Sequence, residues 1–370
     1  MFIISKVLKE IIKIKITITI FVYLLFCLTV NAQEKEKTDK KVNFAAIPVV
    51  NYSNATGFSL GAMGRVFYKV SKTDSISPVS SSGVFGMYTT NGTWFGTLFQ
   101  RLYLNEDRWR ILAALGAGNI NYQYFQEIPI FGGGFVGFNT KADFVMLKVE
   151  RKVIGKLYFG LVGIYSKSKL TYDLPDFIPP ELVTSYRSMN SLGYTLNFDE
   201  RDDQINPYKG YNISFKNNFY RDWIGSDNKF ESYNITYNQF IPIKSSNDII
   251  AARFHAAIAT GDVPFQGQNV VGQDDIRGYT KGRYRENQVY ALQAEYRHRF
   301  QNKFGAVAFF GLATAVETLG DIDNAPFLPG GGVGVRYMVI EKMRINIGLD
   351  AALGKDDWGI YFRIGESFGR

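Results

Sequence analysis

From Leu192 onward the chain alternates apolar and polar residues with period two, and past its first thirty-odd residues it has no apolar run approaching 18. Leu192, Tyr194, Leu196 and Phe198 oppose Gly193, Thr195, Asn197 and Asp199. Ile250, Ala252, Phe254, Ala256 and Ile258 share one face, with Arg253 and His255 on the other. Tyr290, Leu292, Ala294 and Tyr296 oppose Gln293, Glu295, Arg297 and Arg299, and Ile345, Ile347 and Leu349 oppose Arg344, Asn346 and Asp350. Successive strand side chains point to opposite faces. A soluble β-sandwich would bury the apolar faces against each other. A transmembrane barrel would turn them to lipid and line a wet lumen with the polar ones. With 30 Phe, 23 Tyr and 36 Gly but only 21 % charged residues, the composition favours the barrel.

Sixteen such segments are expected between 43–51 and 358–368, an even number that suits an antiparallel barrel with both ends on the periplasmic side. The connections test this, because such barrels have short periplasmic turns and longer outer loops. Connections after even segments are short at Asn105–Asp107, Ile154–Gly155, Pro242–Asn247, Gln301–Asn302 and Glu341–Lys342. Those after odd segments are long at Ile120–Lys141, Tyr172–Arg187, Gly261–Glu286 and Glu317–Gly330. A sandwich requires no such parity. The fold class expected is therefore all-β, an antiparallel transmembrane barrel over residues 43–370.

Residues 1–32 read as a secretory signal peptide: Lys6, Lys9, Lys13 and Lys15 precede the apolar stretch Ile16–Val30, and Val30-Asn31-Ala32 offers a cleavage site. The sole cysteine, Cys27, lies inside this leader, so the exported chain is expected to hold neither a disulfide nor a thiolate site. Residues 33–42 form a short polar lead that leaves no room for a periplasmic domain. Net charge is +8, of which the leader's four Lys and Glu10 supply +3, leaving +5 for the rest. That excess suits contact with outer-membrane lipid head groups, and nothing in the sequence points to nucleic acid.

The most distinctive motif is the arginine-rich, glycine-punctuated stretch Ile276–Arg285, which lies in the sixth outer loop. Arg277-Gly278-Tyr279 is joined by three further features. Asp199-Glu200-Arg201-Asp202 precedes Pro207-Tyr208-Lys209-Gly210 at a periplasmic turn. Glu295-Tyr296-Arg297 follows on the next strand, and the last segment, with Gly359, Tyr361, Phe362 and Phe368, ends in aromatics. Together these resemble the BamA/TamA family of outer-membrane assembly barrels, the bacterial surface antigen superfamily. The resemblance implies that the loop folds into the lumen, that Arg277 pairs with inward carboxylates, and that the aromatic-ended last strand is read by assembly machinery.

Two departures follow from the same comparison. The family's Phe-x-Asp-x-Gly reads Phe309-Phe310-Gly311-Leu312-Ala313 here, so the receiving aspartate is Gly311. Glu295 and Asp350, both on inward registers, are its candidate replacements. The polypeptide-transport-associated (POTRA) repeats that family members carry before the barrel are expected to be missing. A separate periplasmic partner or a homo-oligomer would then supply that role.

Catalysis is not expected: His255 reads as a lumen-lining residue and His298 as part of a head-group belt, with no Ser–His pair, metal cluster or cofactor motif in view. The expected role is assistance in inserting or translocating client outer-membrane proteins, secreted proteins or lipids. The alternative is a passive channel or structural barrel.

Overall fold

The alternating segments pair edge to edge, each with its sequence neighbour. The computed structural model of the protein describes residues 42–53, 57–128, 132–173, 179, 183–243, 247–272, 275–341 and 344–368. The leader and nearly all of the polar lead lie outside these described residues. The first seven strands are β1 (Val42–Ser53), β2 (Gly57–Tyr68), β3 (Ser80–Thr89), β4 (Trp94–Leu104), β5 (Trp109–Ile128), β6 (Gly132–Ile154) and β7 (Leu157–Tyr172). Next comes β8, in two pieces, Thr184–Ser188 and Ser191–Asp199, both paired with β7. There follow β9 (Gly210–Tyr220), β10 (Phe230–Pro242), β11 (Asp248–Gly261), β12 (Gln288–Arg299), β13 (Phe304–Val316), β14 (Leu328–Ile340), β15 (Ile345–Gly354) and β16 (Asp357–Ile364). Every pairing is antiparallel, and β16 returns to β1, giving a barrel of sixteen strands.

Burial follows the alternation. Leu161 and Val333 are more than 60 % exposed on the outer wall, whereas Gln293, Glu295 and Asp350 on the inner face are essentially inaccessible. Apolar side chains out and polar side chains in is the pattern lipid demands of a barrel wall.

The ladder is uneven. β1 pairs with β2 at twelve positions, yet with β16 at only three, Asn51↔Tyr361, Tyr52↔Ile360 and Ser53↔Gly359. Those three lie at the end of β1 remote from Val42, so Val42–Val50 have a partner on one side only among the described residues.

Three expectations about connections change. Ile120–Lys141 is no loop: β5 and β6 run on as one hairpin with Ile120↔Thr140 through Ile128↔Gly132 in register. The Gly132–Gly134 run that suggests a flexible loop is instead strand backbone facing Gln126–Ile128. Gly330–Gly332 likewise lies inside β14. On the predicted periplasmic side, the connection 69–79 is long. It is tied to the next turn on that side, where Asp74 Oδ2 accepts from Glu106 N at 2.9 Å and Ser77 Oγ accepts from Asp107 N at 2.7 Å.

Candidate functional site

The sixth outer loop, between β11 and β12, turns into the lumen and ends in a buried ionic cluster. Arg277 is wholly inaccessible. Its guanidinium donates from Nη1 to Asp350 Oδ2 at 2.8 Å, from Nη2 to Glu295 Oε2 at 2.5 Å and from Nε to Gln293 Oε1 at 3.1 Å. The plane lies over the Phe309 ring, 3.3 Å from its centroid. A planar fork reaching three acceptors while stacking on a ring is an arrangement lysine cannot reproduce. Both candidate carboxylates therefore meet Arg277, from β12 and β15.

Each carboxylate is held from elsewhere too. Asp350 accepts from Arg336 Nη1 at 2.5 Å and Arg363 Nε at 2.7 Å, and Glu295 from Arg297 Nε at 2.6 Å. Glu366 closes the cluster by accepting from Arg336 Nε at 2.9 Å and Asn346 Nδ2 at 2.6 Å. Four arginines thus face three carboxylates away from water. Such a cluster is weak evidence of net stability against an apolar core, but removing one member leaves charges buried and is costly.

Glycines make the space. Gly278 has φ +102°, and a Cβ there would stand 2.5 Å from the Leu353 carbonyl oxygen. At Gly330 a Cβ would meet the Arg277 carbonyl oxygen at 2.5 Å, and at Gly354 that of Gly278 at 2.6 Å. Close approach of loop to wall is possible only without side chains at these positions. The loop is then stitched down: Gly278 N donates to Tyr361 Oη at 3.1 Å, Tyr279 Oη donates to Pro329 O at 2.6 Å, and Thr280 N donates to Asp357 Oδ2 at 2.7 Å. Tyr279 and Ile276 sit in an apolar cluster with Val289, Ala291, Ala313 and Leu328.

Gly311 has a physical counterpart in Gln293, its register partner on β12. A Cβ at Gly311 would lie 2.7 Å from the Leu292 carbonyl oxygen and 3.0 Å from Gln293 Cβ and Cγ, so the position has little room for a side chain, and the glutamine supplies an acceptor to Arg277 itself.

At the opposite end of the lumen, the turn 200–209 reaches strands far apart around the wall. Its base is the bidentate pair of Arg201 with Asp199, at 2.7 and 2.8 Å. Asp202 accepts from Tyr208 N at 2.9 Å and Lys209 N at 3.1 Å, and from Arg344 Nη1 at 2.6 Å. Burial opposes the Asp202 charge, but Arg344 and the two amides outweigh it and hold the carboxyl below its ordinary range. Gly210, with φ +97°, has no room for a Cβ beside Glu200 O, and Pro207 is buried. Tyr103 of β4 donates to Gln204 Oε1 at 3.1 Å, and Arg299 of β12 donates to Tyr208 Oη at 2.7 Å. The turn therefore crosses the mouth of the barrel.

The chain end differs from the expected aromatic-ended strand. β16 stops at Ile364, Gly365 turns with φ +80°, and Glu366–Phe368 fold inward. Phe368 is fully buried against Phe240 and Ala251, on the wall of β10 and β11. Of the other residues expected there, Gly359 pairs with Ser53 at the seam, Tyr361 holds the loop, and Phe362 falls on the outward register opposite Leu349.

The Omp85 superfamily domain matches residues 152–368, more than half of the chain, and so takes in the loop, the turn and the inward tail. The chain belongs to the Omp85 superfamily. Among solved structures, this Omp85 barrel is similar to BamA from Haemophilus ducreyi lacking POTRA domains 1–3, with TM-score 0.59 and 15 % identity over 89 % of this chain and 70 % of that one. It is also similar to CdiB from Acinetobacter baumannii (TM-score 0.58, 13 % identity) and CdiB from Escherichia coli (TM-score 0.61, 10 % identity), each over 89 % of this chain. The match spans 60 % and 63 % of those two proteins, respectively. No curated protein matches the sequence. The Omp85 barrel fold places the chain in an outer membrane.

The ionic cluster is larger than the sequence suggests by itself. Arg297, Arg336 and Arg363 all lie on inward registers, so period two signals their direction, but nothing local shows that they converge on Asp350, Glu295 and Glu366. His255 faces the lumen, 3.0 Å from Thr236 Oγ1, with Asp275 of the loop 3.5 Å away. His298 faces outward, 2.7 Å from Asp248 and edge-on to Phe300.

Proposed function

We propose that this Omp85 barrel assists the insertion or translocation of proteins or lipids at the outer membrane, working through the seam between β1 and β16. The observation that carries this reading is the three-pair junction there, beside twelve pairs at β1–β2. Among the described residues, most of β1 thus presents unpaired N–H and C=O groups on its seam side, and an exposed edge is a template on which another strand can form. In this reading, the Arg277 cluster holds β12, β15 and the chain end as a rigid block, so that opening is confined to the seam. A periplasmic partner or a second copy of the barrel would deliver clients.

The passive-channel alternative has less support. The loop fills one side of the lumen, and the turn 200–209 crosses its mouth. Depletion of the protein followed by comparison of outer-membrane proteins and lipids tests the assembly reading, which fails if neither set changes. A large steady conductance from the purified barrel would favour the channel.

A further inference from the structure

The half of the lumen opposite the loop carries a second constellation, unconnected with the seam or the Arg277 cluster. Between β4 and β9, just above the turn 200–209, lies a cavity of about 390 Å³. Five cations line it, Arg101, Arg110, Lys148, Arg201 and Lys216. Three are matched: Arg110 by Asp107, Lys148 by Glu150 at 3.0 Å, and Arg201 by Asp199. Arg101 and Lys216 have no carboxylate partner among the described residues, and Lys148 lines the same cavity as Lys216. Uncompensated positive charge between low-dielectric walls focuses potential on an anion.

Apart from Thr97, the wall that β4 to β7 raise above this basic floor is apolar, which a water-filled lumen does not call for. Reading the inward registers of β4 to β7, Phe95 and Phe99 stand above Arg101, and Phe144 and Met146 above Lys148, with Leu112 and Val162 beside them. The rings take the space that glycine leaves open: a Cβ at Gly83 would be 2.2 Å from Phe99, and one at Gly116 would be 2.6 Å from Phe144. Phe95 and Phe144 stack at 6.4 Å.

From this juxtaposition we propose that the half-lumen binds an anionic phospholipid, its phosphate-bearing head group between Arg101 and Lys216 and its acyl chain along the Phe99–Phe144 wall. The two zones match the two ends of such a molecule, and neither zone alone explains the other. The site is independent of the assembly reading and can fail without it.

The test is native mass spectrometry of the full barrel in detergent, with phosphatidylglycerol, phosphatidylcholine or inorganic phosphate added. The wild-type barrel is expected to retain one phosphatidylglycerol more tightly than phosphatidylcholine. Arg101→Gln with Lys216→Gln removes two charge-assisted contacts and should weaken retention about tenfold or more. Lys141→Gln, an exposed cation outside the cavity, should leave retention unchanged. Met146→Asn keeps every charge yet should also lower retention, and Lys216→Gln alone, the mildest change, should do so to a smaller extent. Heat-modifiable gel migration checks that each variant is folded. Equal retention by wild type and the Arg101/Lys216 variant would overturn the proposal, as would an equal loss in Lys141→Gln. Inorganic phosphate competing as well as lipid, or no effect of Met146→Asn, would overturn the lipid assignment.

Discussion

Arg277→Ala is the sharpest perturbation of the lumen cluster. By formal charge it looks harmless, because it leaves three arginines facing three carboxylates. Geometry predicts otherwise, since Arg277 is the loop's own member of the cluster and bonds carboxylates on two strands at once. Breaking a buried pair from one side costs about 3–5 kcal/mol. Asp350 keeps Arg336 and Arg363, and Glu295 keeps Arg297, which places the loss near the lower end. At about 2 °C per kcal/mol for a large domain, roughly 3 kcal/mol corresponds to a fall of about 6 °C. The assay is the temperature at which half of the barrel converts from fast to slow migration on a semi-native gel. Arg277→Lys keeps the charge but cannot serve three acceptors in one plane, so it should fall between wild type and alanine. A midpoint for Arg277→Ala within about 1 °C of wild type, well inside the shift expected for a buried pair, would refute the reasoning.

Other outcomes follow from the same contacts. Gly278→Ala meets both a positive φ and the Leu353 carbonyl oxygen 2.5 Å from the new Cβ, so it should lower the gel midpoint at least as far as Arg277→Ala, although it removes no charge. Gly311→Asp should lower the gel midpoint, because its Cβ would meet the Leu292 carbonyl oxygen at 2.7 Å and Gln293 at 3.0 Å, and Gln293→Ala, which leaves the backbone contact in place, should not restore it; a Gly311→Asp midpoint equal to wild type would refute the reasoning. Asp202 has its carboxyl lowered on folding, so its contribution is present above the unfolded value of about 4 and fades as pH falls through the lower folded value. Accordingly, Asp202→Asn should be less resistant to urea than wild type at pH 7, with the gap narrowing towards pH 2.

Period two made much of the fold legible, because a barrel strand must put Gln293, Glu295 and Arg297 on one face and Leu292, Ala294 and Tyr296 on the other. It also placed Asp350 and Glu295 on the inner wall, where both meet Arg277. Glycine was the main source of misreading. Gly132–Gly134 fell within an expected loop and Gly330 closed another, whereas pairing partners make them strand, and at Gly330 the missing side chain admits the loop. The C-terminal tail escaped for a different reason. An aromatic near the end of a final strand has the same sequence whether it faces lipid or turns inward at Gly365, and only the pocket formed by Phe240 and Ala251 decides the matter. Gln293 was equally hidden, since its role depends on Gly311 standing opposite it on the next strand. The convergence of Arg336 and Arg363 on Asp350 spans three adjacent strands, which no local pattern reports.

The seam is where function is proposed, and locking it tests that most directly. Tyr52 and Ile360 are register partners across β1 and β16, so Tyr52→Cys with Ile360→Cys, in a background where the only native cysteine, Cys27, is replaced by serine, gives a single defined cross-link. In cells depleted of the wild-type protein, the oxidised pair is expected to fail to restore the outer-membrane protein and lipid profile, while each single variant and the reduced pair restore it. Full restoration by the quantitatively cross-linked barrel would contradict a seam that must open.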